Sequence, residues 1–245
     1  MTVARRSPFR IRAPLWAVLL TGMGIAIGTS AGLWQLDRAA QKRELHARFA
    51  AGTSAAAHDG LVADGVDRES RYARLRLYGT YDSAHQILLD NMSHDGVPGY
   101  QVLTPFETAA GTVLVNRGWI PSDGNRQVLP DLGVGTAARQ VSGRIDQLPR
   151  PAIELEVPLP PADAPWPRRL HFPTMPAIAD QLGVPLPGYQ LLLDAGEPDG
   201  FLRDWQPGGM KPERHVAYAV QWFGLALTAG IIFLVLAIRN GRNAS

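Results

Sequence analysis

The sequence predicts a membrane protein in which two transmembrane helices flank a β-rich (α+β) domain, and three observations lead to this fold class. Two uncharged apolar stretches, residues 13–36 and 216–238, contain 24 and 23 residues. All 22 acidic residues lie between them. The intervening segment, residues 37–215, contains short apolar and polar alternations that are typical of β-strands.

Each apolar stretch is long enough to cross a bilayer as a helix, because a hydrocarbon core of about 30 Å needs roughly 20 residues. The intervening segment has 18 basic and 22 acidic residues, whereas both tails are basic and lack acidic residues. The positive-inside rule therefore places the tails, residues 1–12 and 239–245, in the cytoplasm and the central domain on the far side. The arginines of the tails are Arg5, Arg6, Arg10, Arg12, Arg239 and Arg242.

The charge distribution also bears on partners. The sequence pI of 9.1 is set by the tails, so the basic charge favours membrane lipid as a partner and gives no reason to expect nucleic acid. A cleaved signal peptide is the alternative for the first stretch, with Thr29-Ser30-Ala31 as a small-residue cleavage region. The apolar core of a signal peptide is usually only about 7 to 15 residues, which favours a retained helix.

Glycine spacing predicts how the first span packs. Gly24, Gly28 and Gly32 recur every four residues, so they share one face of a helix and suit close packing against the second span. From Asp37 to about Gly52 the charged sequence reads as a helical extension of this span.

Six strands are predicted in the central domain, and they suggest a compact antiparallel sheet or a partly closed barrel. A hairpin turn is expected at residues 108–111. Asn116-Arg117-Gly118-Trp119 is expected to close a strand with Trp119 in the core; the alternative is that Arg117 meets a partner or a propionate. The predicted strands are residues 73–78, 85–90, 100–106, 112–119, 139–147 and 189–194.

A proline-rich excursion interrupts the domain at residues 149–187, which contain 11 prolines. This density opposes regular structure except for one short helix near Met175 to Leu182. Glu154 and Glu156 within the excursion are interpreted as part of a solvated face.

The sequence gives little sign of catalysis, and the protein is not expected to be an enzyme. It has no cysteine, no nucleophile elbow and no phosphate-binding glycine loop. His85 and His94 could meet across a turn and bind a metal, but isolated histidines in a strand domain are more often packed or surface residues.

One constellation stands out at the start of the second span. His215 lies at the boundary between water and hydrocarbon, with Tyr218 and Trp222 on the same helical face. A neutral imidazole beside flat aromatic surfaces is what haem binding requires, because it offers iron an axial nitrogen and the macrocycle a stacking area. The alternative is an interfacial aromatic belt in which His215 has no ligand. Gln221, a polar amide inside the span, favours a partner or ligand.

Three ordered blocks of the sequence resemble the signature blocks of the surfeit locus protein 1 family. The resemblance extends from about residue 30 to residue 235, with weaker matches between the blocks, and the proline-rich excursion matches little. The blocks are Gly32-Leu33-Trp34-Gln35-Leu36-Asp37-Arg38, Val115-Asn116-Arg117-Gly118-Trp119-Ile120-Pro121 and His215-Val216-Ala217-Tyr218-Ala219-Val220-Gln221-Trp222-Phe223.

This resemblance implies an accessory factor in the biogenesis of cytochrome c oxidase. Bacterial members of the family are implicated in handling haem a, and by this likeness His215 corresponds to the histidine implicated in its ligation. The expected partners are the oxidase catalytic subunit, membrane lipid and, as a further candidate, haem a synthase. The expected location is the bacterial inner membrane, with the main domain in the periplasm.

Position suggests roles for the remaining candidate residues. Trp34 is expected to form, with Tyr218 and Trp222, the apolar surface against which the haem stacks. Gln35 is expected to face Gln221 between the spans. Arg38 or Arg214 lies near the haem propionates. The rival function is a membrane-anchored scaffold that stabilises an oxidase assembly intermediate without binding haem.

Overall fold

The structure is a computed structural model that describes residues 12–62, 70–122, 130–151, 158–161 and 163–243. It divides into two compact units, one formed by Met1–Ala47 with Gly209–Ser245 and the other by Arg48–Gly208. Some residues named above lie outside the described ranges, namely Arg5, Arg6, Arg10, Glu154 and Glu156.

The described residues form three helices, α1 (Leu15–Ser54), α2 (Met175–Leu182) and α3 (Pro212–Asn243). Helices α1 and α3 are long and apolar enough to cross a membrane, with mean hydropathies of 1.5 and 2.1 over their most apolar segments. Many of their large aliphatic side chains are exposed, such as Leu19 at 63% and Leu227 at 66%. Such surface is unfavourable in water and favourable in hydrocarbon, so both helices are consistent with membrane anchoring.

Small residues bring α1 and α3 together. A Cβ atom added at Gly28 would lie 3.1 Å from the Ala226 Cβ, and one added at Gly32 would lie 2.5 Å from the Phe223 ring. The predicted packing role of these two glycines is therefore confirmed. Gly24 differs, because a Cβ there would meet nothing within 4 Å and so lies off the contact. The predicted helical extension is also confirmed, since α1 continues without interruption to Ser54.

A mixed eight-stranded sheet forms the core of the second unit, in the order β1-β2-β6-β8-β5-β4-β3-β7. Its two outermost strands contain only two and three residues. The strands are β1 (His58–Asp59), β2 (Arg74–Tyr81), β3 (Ile87–His94), β4 (Val97–Thr108), β5 (Gly111–Pro121), β6 (Arg139–Asp146), β7 (Arg168–Leu170) and β8 (Gln190–Leu193).

The sheet is mixed where the sequence suggested an antiparallel one. Strands β1 and β2, β3 and β7, and β5 and β8 pair in parallel, and the remaining pairs are antiparallel. An additional antiparallel pairing joins β2 to β4, so that β2, β6, β8, β5 and β4 form a ring of hydrogen-bonded neighbours. The parallel pairs arise because long connections, including the proline-rich excursion, return the chain to the sheet in the same direction.

All six predicted strands are present, with shifted ends, and the hairpin at Thr108 and Gly111 is confirmed by their pairing. Inside the proline-rich excursion, α2 has the predicted bounds. The Thr174 side chain accepts a hydrogen bond from the Ala177 N–H at its start, and Gly183 ends it with φ 69°. Strand β7 was not expected in the excursion, and neither was β1 before the first predicted strand.

Candidate functional site

The candidate site is built on the first turn of α3, where the sequence changes from charged to apolar. Pro212 opens the helix and Glu213 lies in its first turn, an arrangement that suits the N-terminal end of the helix dipole. His215 follows two residues after Glu213 and is half-buried. Its imidazole is therefore fixed by a helix start, and part of the ring remains accessible.

A hydrogen bond from α1 orients the His215 ring. The Nδ1 atom of His215 lies 2.7 Å from the Oε1 atom of Gln35. Because an amide oxygen can only accept, the proton of this bond belongs to Nδ1. The neutral imidazole then carries its lone pair on Nε2. This is the arrangement of metal-ligating histidines, whose second ring nitrogen typically donates to an oxygen acceptor.

The two glutamines do not have the predicted relationship. Gln35 was expected to face Gln221, but its described side-chain hydrogen bond goes to His215. Gln221 is exposed on α3, and within the described residues it makes no side-chain hydrogen bond. The prediction of a glutamine pair therefore lacks support, and the amide of Gln35 has a different partner in the same unit.

Aromatic side chains provide flat surfaces on both helices. Tyr218 is 45% exposed and Trp222 is 36% exposed, and both follow His215 on α3. Trp34, on α1 next to Gln35, is 53% exposed. None of these rings is enclosed, so each has a face available to a planar apolar ligand. The roles assigned to them in haem binding stay predictions.

Basic side chains lie close to this group on the polar side. The guanidinium of Arg38 lies 5.4 Å from the centre of the Trp34 ring and donates to Gln41, which in turn donates to Asp37. Arg214, the residue before His215, is exposed. Both arginines are thus near the ends of the apolar segments, where a carboxylate at the water boundary could meet them.

The two histidines considered as metal ligands, His85 and His94, have other contacts. His85 lies 2.6 Å from the Asp82 carboxylate, and His94 stacks near Trp119 with ring centres 5.4 Å apart. Within the described ranges, no three side chains of the metal-binding types come together as a cluster. The alternative of a metal site at His85 and His94 therefore gains no support.

Arg117, the other candidate from the sequence, lies inside the sheet unit and is 1% exposed. Its Nε donates to the Asp199 carbonyl at 2.7 Å, and its Nη1 donates to Gln86 Oε1 at 3.0 Å and to the Leu132 carbonyl at 2.9 Å. Its Nη2 donates to the Gly133 carbonyl at 3.1 Å. Burial lowers the pKa of Arg117 below its ordinary value. Because the guanidinium is enclosed and each of its nitrogens donates to the protein, this geometry favours a structural role over contact with a partner.

The neighbours of Arg117 explain the rest of the second sequence block. Gly118 has φ 115°, and a side chain there would approach the Leu202 carbonyl to 2.7 Å, so glycine is required. Trp119 was expected in the core but is only partly buried, with its indole N–H donating to the Met92 carbonyl at 2.8 Å.

Sequence reasoning missed two buried cations, Arg168 and Arg144, of which Arg144 lies at the rim of a cavity in the sheet unit. The second of them, Arg144, lies in β6 between inward-facing Gly143 and Ile145. A signal was present in the sequence, because a charged residue in the middle of a predicted strand with apolar neighbours needs either solvent or a partner.

The fold and site define a class of protein with two long apolar terminal helices, a mixed-sheet domain and an oriented histidine, and the two helices are consistent with membrane anchoring. The model of the SURF1 family matches residues 23–227. The chain therefore belongs to the SURF1 family, and the suspected family resemblance is confirmed. A comparison with curated proteins found no match.

The SURF1 family is linked to the assembly of cytochrome c oxidase, and it is a family of assembly factors outside the known enzyme classes. The matched range contains Gln35 and His215, and the Arg117 region, so all three sequence blocks fall within the family match.

Proposed function

We propose that this protein assists the delivery of haem a to the catalytic subunit of cytochrome c oxidase, with His215 as an axial ligand of the haem iron. Family membership supports a role in oxidase assembly. The observation that carries the haem step is the 2.7 Å contact between His215 Nδ1 and Gln35 Oε1, because it leaves the Nε2 lone pair available to iron.

The residues around His215 suit a porphyrin chemically. Tyr218, Trp222 and Trp34 offer exposed aromatic surface for the macrocycle. Arg38 and Arg214 can pair with propionates at the water boundary. When bound, haem supplies the redox-active iron that the oxidase needs, and this chain supplies a ligand, an orienting hydrogen bond and an apolar wall. A single histidine on partly open helices suits transient binding, which release to the oxidase subunit requires.

The proposed location follows from charge and hydropathy. Arg12 precedes α1, and Arg239 and Arg242 lie at the end of α3, so the positive-inside rule favours cytoplasmic termini. The mixed-sheet domain then lies on the opposite side of the membrane, which is the periplasm of a bacterial cell. Haem a synthase is the natural donor in this scheme, and the oxidase catalytic subunit is the acceptor.

The test is an absorbance spectrum of the full chain purified from cells that make haem a. We expect bound haem in the wild type and a loss of at least about tenfold in haem content in His215→Ala, because the axial nitrogen is removed. His46→Ala, on α1, is the matched control and should retain the wild-type spectrum. A wild type without haem, or a normal spectrum in His215→Ala, would favour the scaffold function instead.

A further inference from the structure

A cavity of about 620 Å³ lies within the sheet unit, and its lining contains none of the residues of the histidine site. Its volume is in the range of small-molecule sites, about 300 to 1,000 Å³. The wall combines the last turns of α1 with parts of β2 and β6 and with the chain that follows β8. The residues that matter for the argument are Phe49, Thr53, Arg74, Arg144, Asp194 and Trp205.

Arg144 lines this cavity and is only 6% exposed. Its side chain is held in a fixed position by several contacts. Its Nη1 donates to Thr53 Oγ1 at 2.8 Å and to the Phe49 carbonyl at 3.2 Å. Its Cζ also lies 4.0 Å from the centre of the Phe49 ring. The guanidinium plane is therefore fixed by one nitrogen and by stacking, and the cation favourably meets the C-terminal end of α1.

The other edge of the guanidinium has no hydrogen-bond acceptor among the described residues. The Nε atom of Arg144 is buried without a hydrogen-bond partner, and the hydrogen bonds described for this side chain all come from Nη1. No hydrogen bond from Arg144 to Asp194 is described, and the Oδ2 atom of Asp194 accepts from Arg74 at 2.8 Å. Nε–H and the adjacent Nη2–H form the two-pronged edge with which arginine binds a carboxylate.

Apart from Arg144, the basic and acidic side chains that line the cavity nearly balance in charge. Arg203 donates to the backbone carbonyls of Asp194 and Glu197, both at 2.7 Å. The side chains of Glu197 and Asp204 also line the cavity. The cavity therefore has no general excess of positive charge, and any preference for an anion depends on the unoccupied edge of Arg144.

An apolar surface accompanies this edge. The Trp205 indole is held in place because its N–H donates to the Leu193 carbonyl at 2.8 Å, and the Phe49 ring is held under Arg144. We propose that this cavity is a binding site for a small carboxylic acid with an apolar body, whose carboxylate takes the free edge of Arg144. None of the described residues that line the cavity is among those proposed to bind haem.

The test is a titration of the full chain in detergent with para-fluorobenzoate, followed by fluorine NMR. Para-fluorobenzyl alcohol has the same ring without the carboxylate and serves as the comparison ligand. We expect the acid to bind and the alcohol to bind at least about tenfold more weakly, because the two-pronged charged hydrogen bond is lost.

Variants of the protein separate the contribution of the ligand's carboxylate to binding from the contribution of its apolar ring. Arg144→Lys retains the charge without the two-pronged edge and should weaken binding of the acid at least about tenfold. Trp205→Leu leaves Arg144 and its contacts with α1 in place and should weaken binding of both ligands. Arg76→Gln, outside the cavity, is the matched control and should bind as the wild type does. No binding by the wild type, equal binding of acid and alcohol, or unchanged binding in a folded Arg144→Lys would overturn the proposal.

Discussion

At the residue scale, arginine buried among neutral acceptors is the recurring feature of the sheet unit. The described acceptors of Arg117 are backbone carbonyls and side-chain oxygens of Gln86 and Thr104, and none of them is a carboxylate. Two aromatic rings lie against the same guanidinium, with its Cζ 4.9 Å from the centre of Phe201 and 5.8 Å from that of Tyr81. Such a group joins segments that are distant in sequence, because one planar side chain satisfies several carbonyls together.

We therefore expect Arg117→Met to destabilise the sheet unit by about 3 kcal/mol or more, because buried carbonyls lose their donors. Arg76→Met is the matched control. It replaces an exposed arginine of β2 whose 3.4 Å ion pair with Asp59 is open to solvent, so its effect should stay within about 0.5 kcal/mol. Denaturant unfolding measures both. Normal stability in Arg117→Met together with lost oxidase activity would favour the alternative in which Arg117 meets a partner.

The hydrogen bond between Gln35 and His215 gives a second prediction at this scale. In Gln35→Leu the acceptor for Nδ1–H is lost, so the imidazole is no longer held in the tautomer that leaves Nε2 free. Nitrogen NMR of the protein without haem should show protonated Nδ1 in the wild type and a changed tautomer balance in the variant. Haem affinity should fall by about 10- to 100-fold.

Gln221→Leu is the control for this experiment, because Gln221 is exposed and does not bond to His215. An unchanged tautomer in Gln35→Leu would contradict the orienting role of Gln35. A wild type that has the expected tautomer but binds no haem would contradict the proposed function and leave the orienting role intact.

At the element scale, the contact between α1 and α3 depends on small residues at one face. The alanines buried in this unit include Ala39, Ala219 and Ala226, all below 9% exposure, whereas the large aliphatic residues of both helices are turned outward. Close approach of two helix backbones is favourable in a bilayer, where packing rather than water exclusion drives association. Gly28 and Gly32 are therefore contact positions, and the exposed leucines are consistent with contact with lipid.

The absence of cysteine from the sequence allows a direct test of this contact. Gly28→Cys combined with Ala226→Cys should form a disulfide under mild oxidation, because the Cβ positions are close and need only a small adjustment to reach about 3.8 Å. Gly24→Cys combined with Ala226→Cys is the control and should remain reduced. Cleavage between the helices followed by electrophoresis reports the crosslink. Equal crosslinking in both pairs would contradict the described packing face.

Sequence reasoning located the regular elements where the pattern was local. Residues 73–78 alternate with period two and became β2, and Met175–Leu182 has its own cap and became α2. Strands β1 and β7 were missed because two or three residues contain no periodicity, and they exist only through pairing with β2 and β3. The parallel pairings were missed for the same reason, since register between distant segments is a tertiary property.

The candidate site was predictable in part. His215 and its aromatic neighbours were evident from spacing along one helix. The hydrogen-bond partner of Gln35 could not be predicted, because the sequence shows a polar residue in each span without showing which side chains meet. Trp119 was assigned to the core from its apolar character, but its N–H requires an acceptor, and that acceptor is the Met92 carbonyl near the surface.

At the scale of the whole molecule, the distribution of charge predicts the orientation in the membrane. A reporter that functions only in the periplasm should be active when fused at positions between about 55 and 207, because the basic tails favour the cytoplasm. The same reporter fused after Arg242 should be inactive. Enzyme assays on intact cells measure both, with immunoblots to verify equal amounts. Periplasmic activity of the C-terminal fusion would contradict the two-span topology.

The brevity of the outer strands has a consequence for copies of this protein that are anchored in one membrane, as the two apolar helices favour. Proteins confined to a surface meet often, and a long unpaired strand would invite backbone pairing between neighbours. Here the margins of the sheet are β1 and β7, with two and three residues. Among the described residues, strand β7 pairs only with Ile87, Leu88 and Leu89 of β3. Outermost strands of this length offer few backbone groups of their own to a second sheet, which discourages edge-to-edge pairing along β1 and β7. Recognition of another protein at β1 and β7 therefore depends on side chains more than on an added strand.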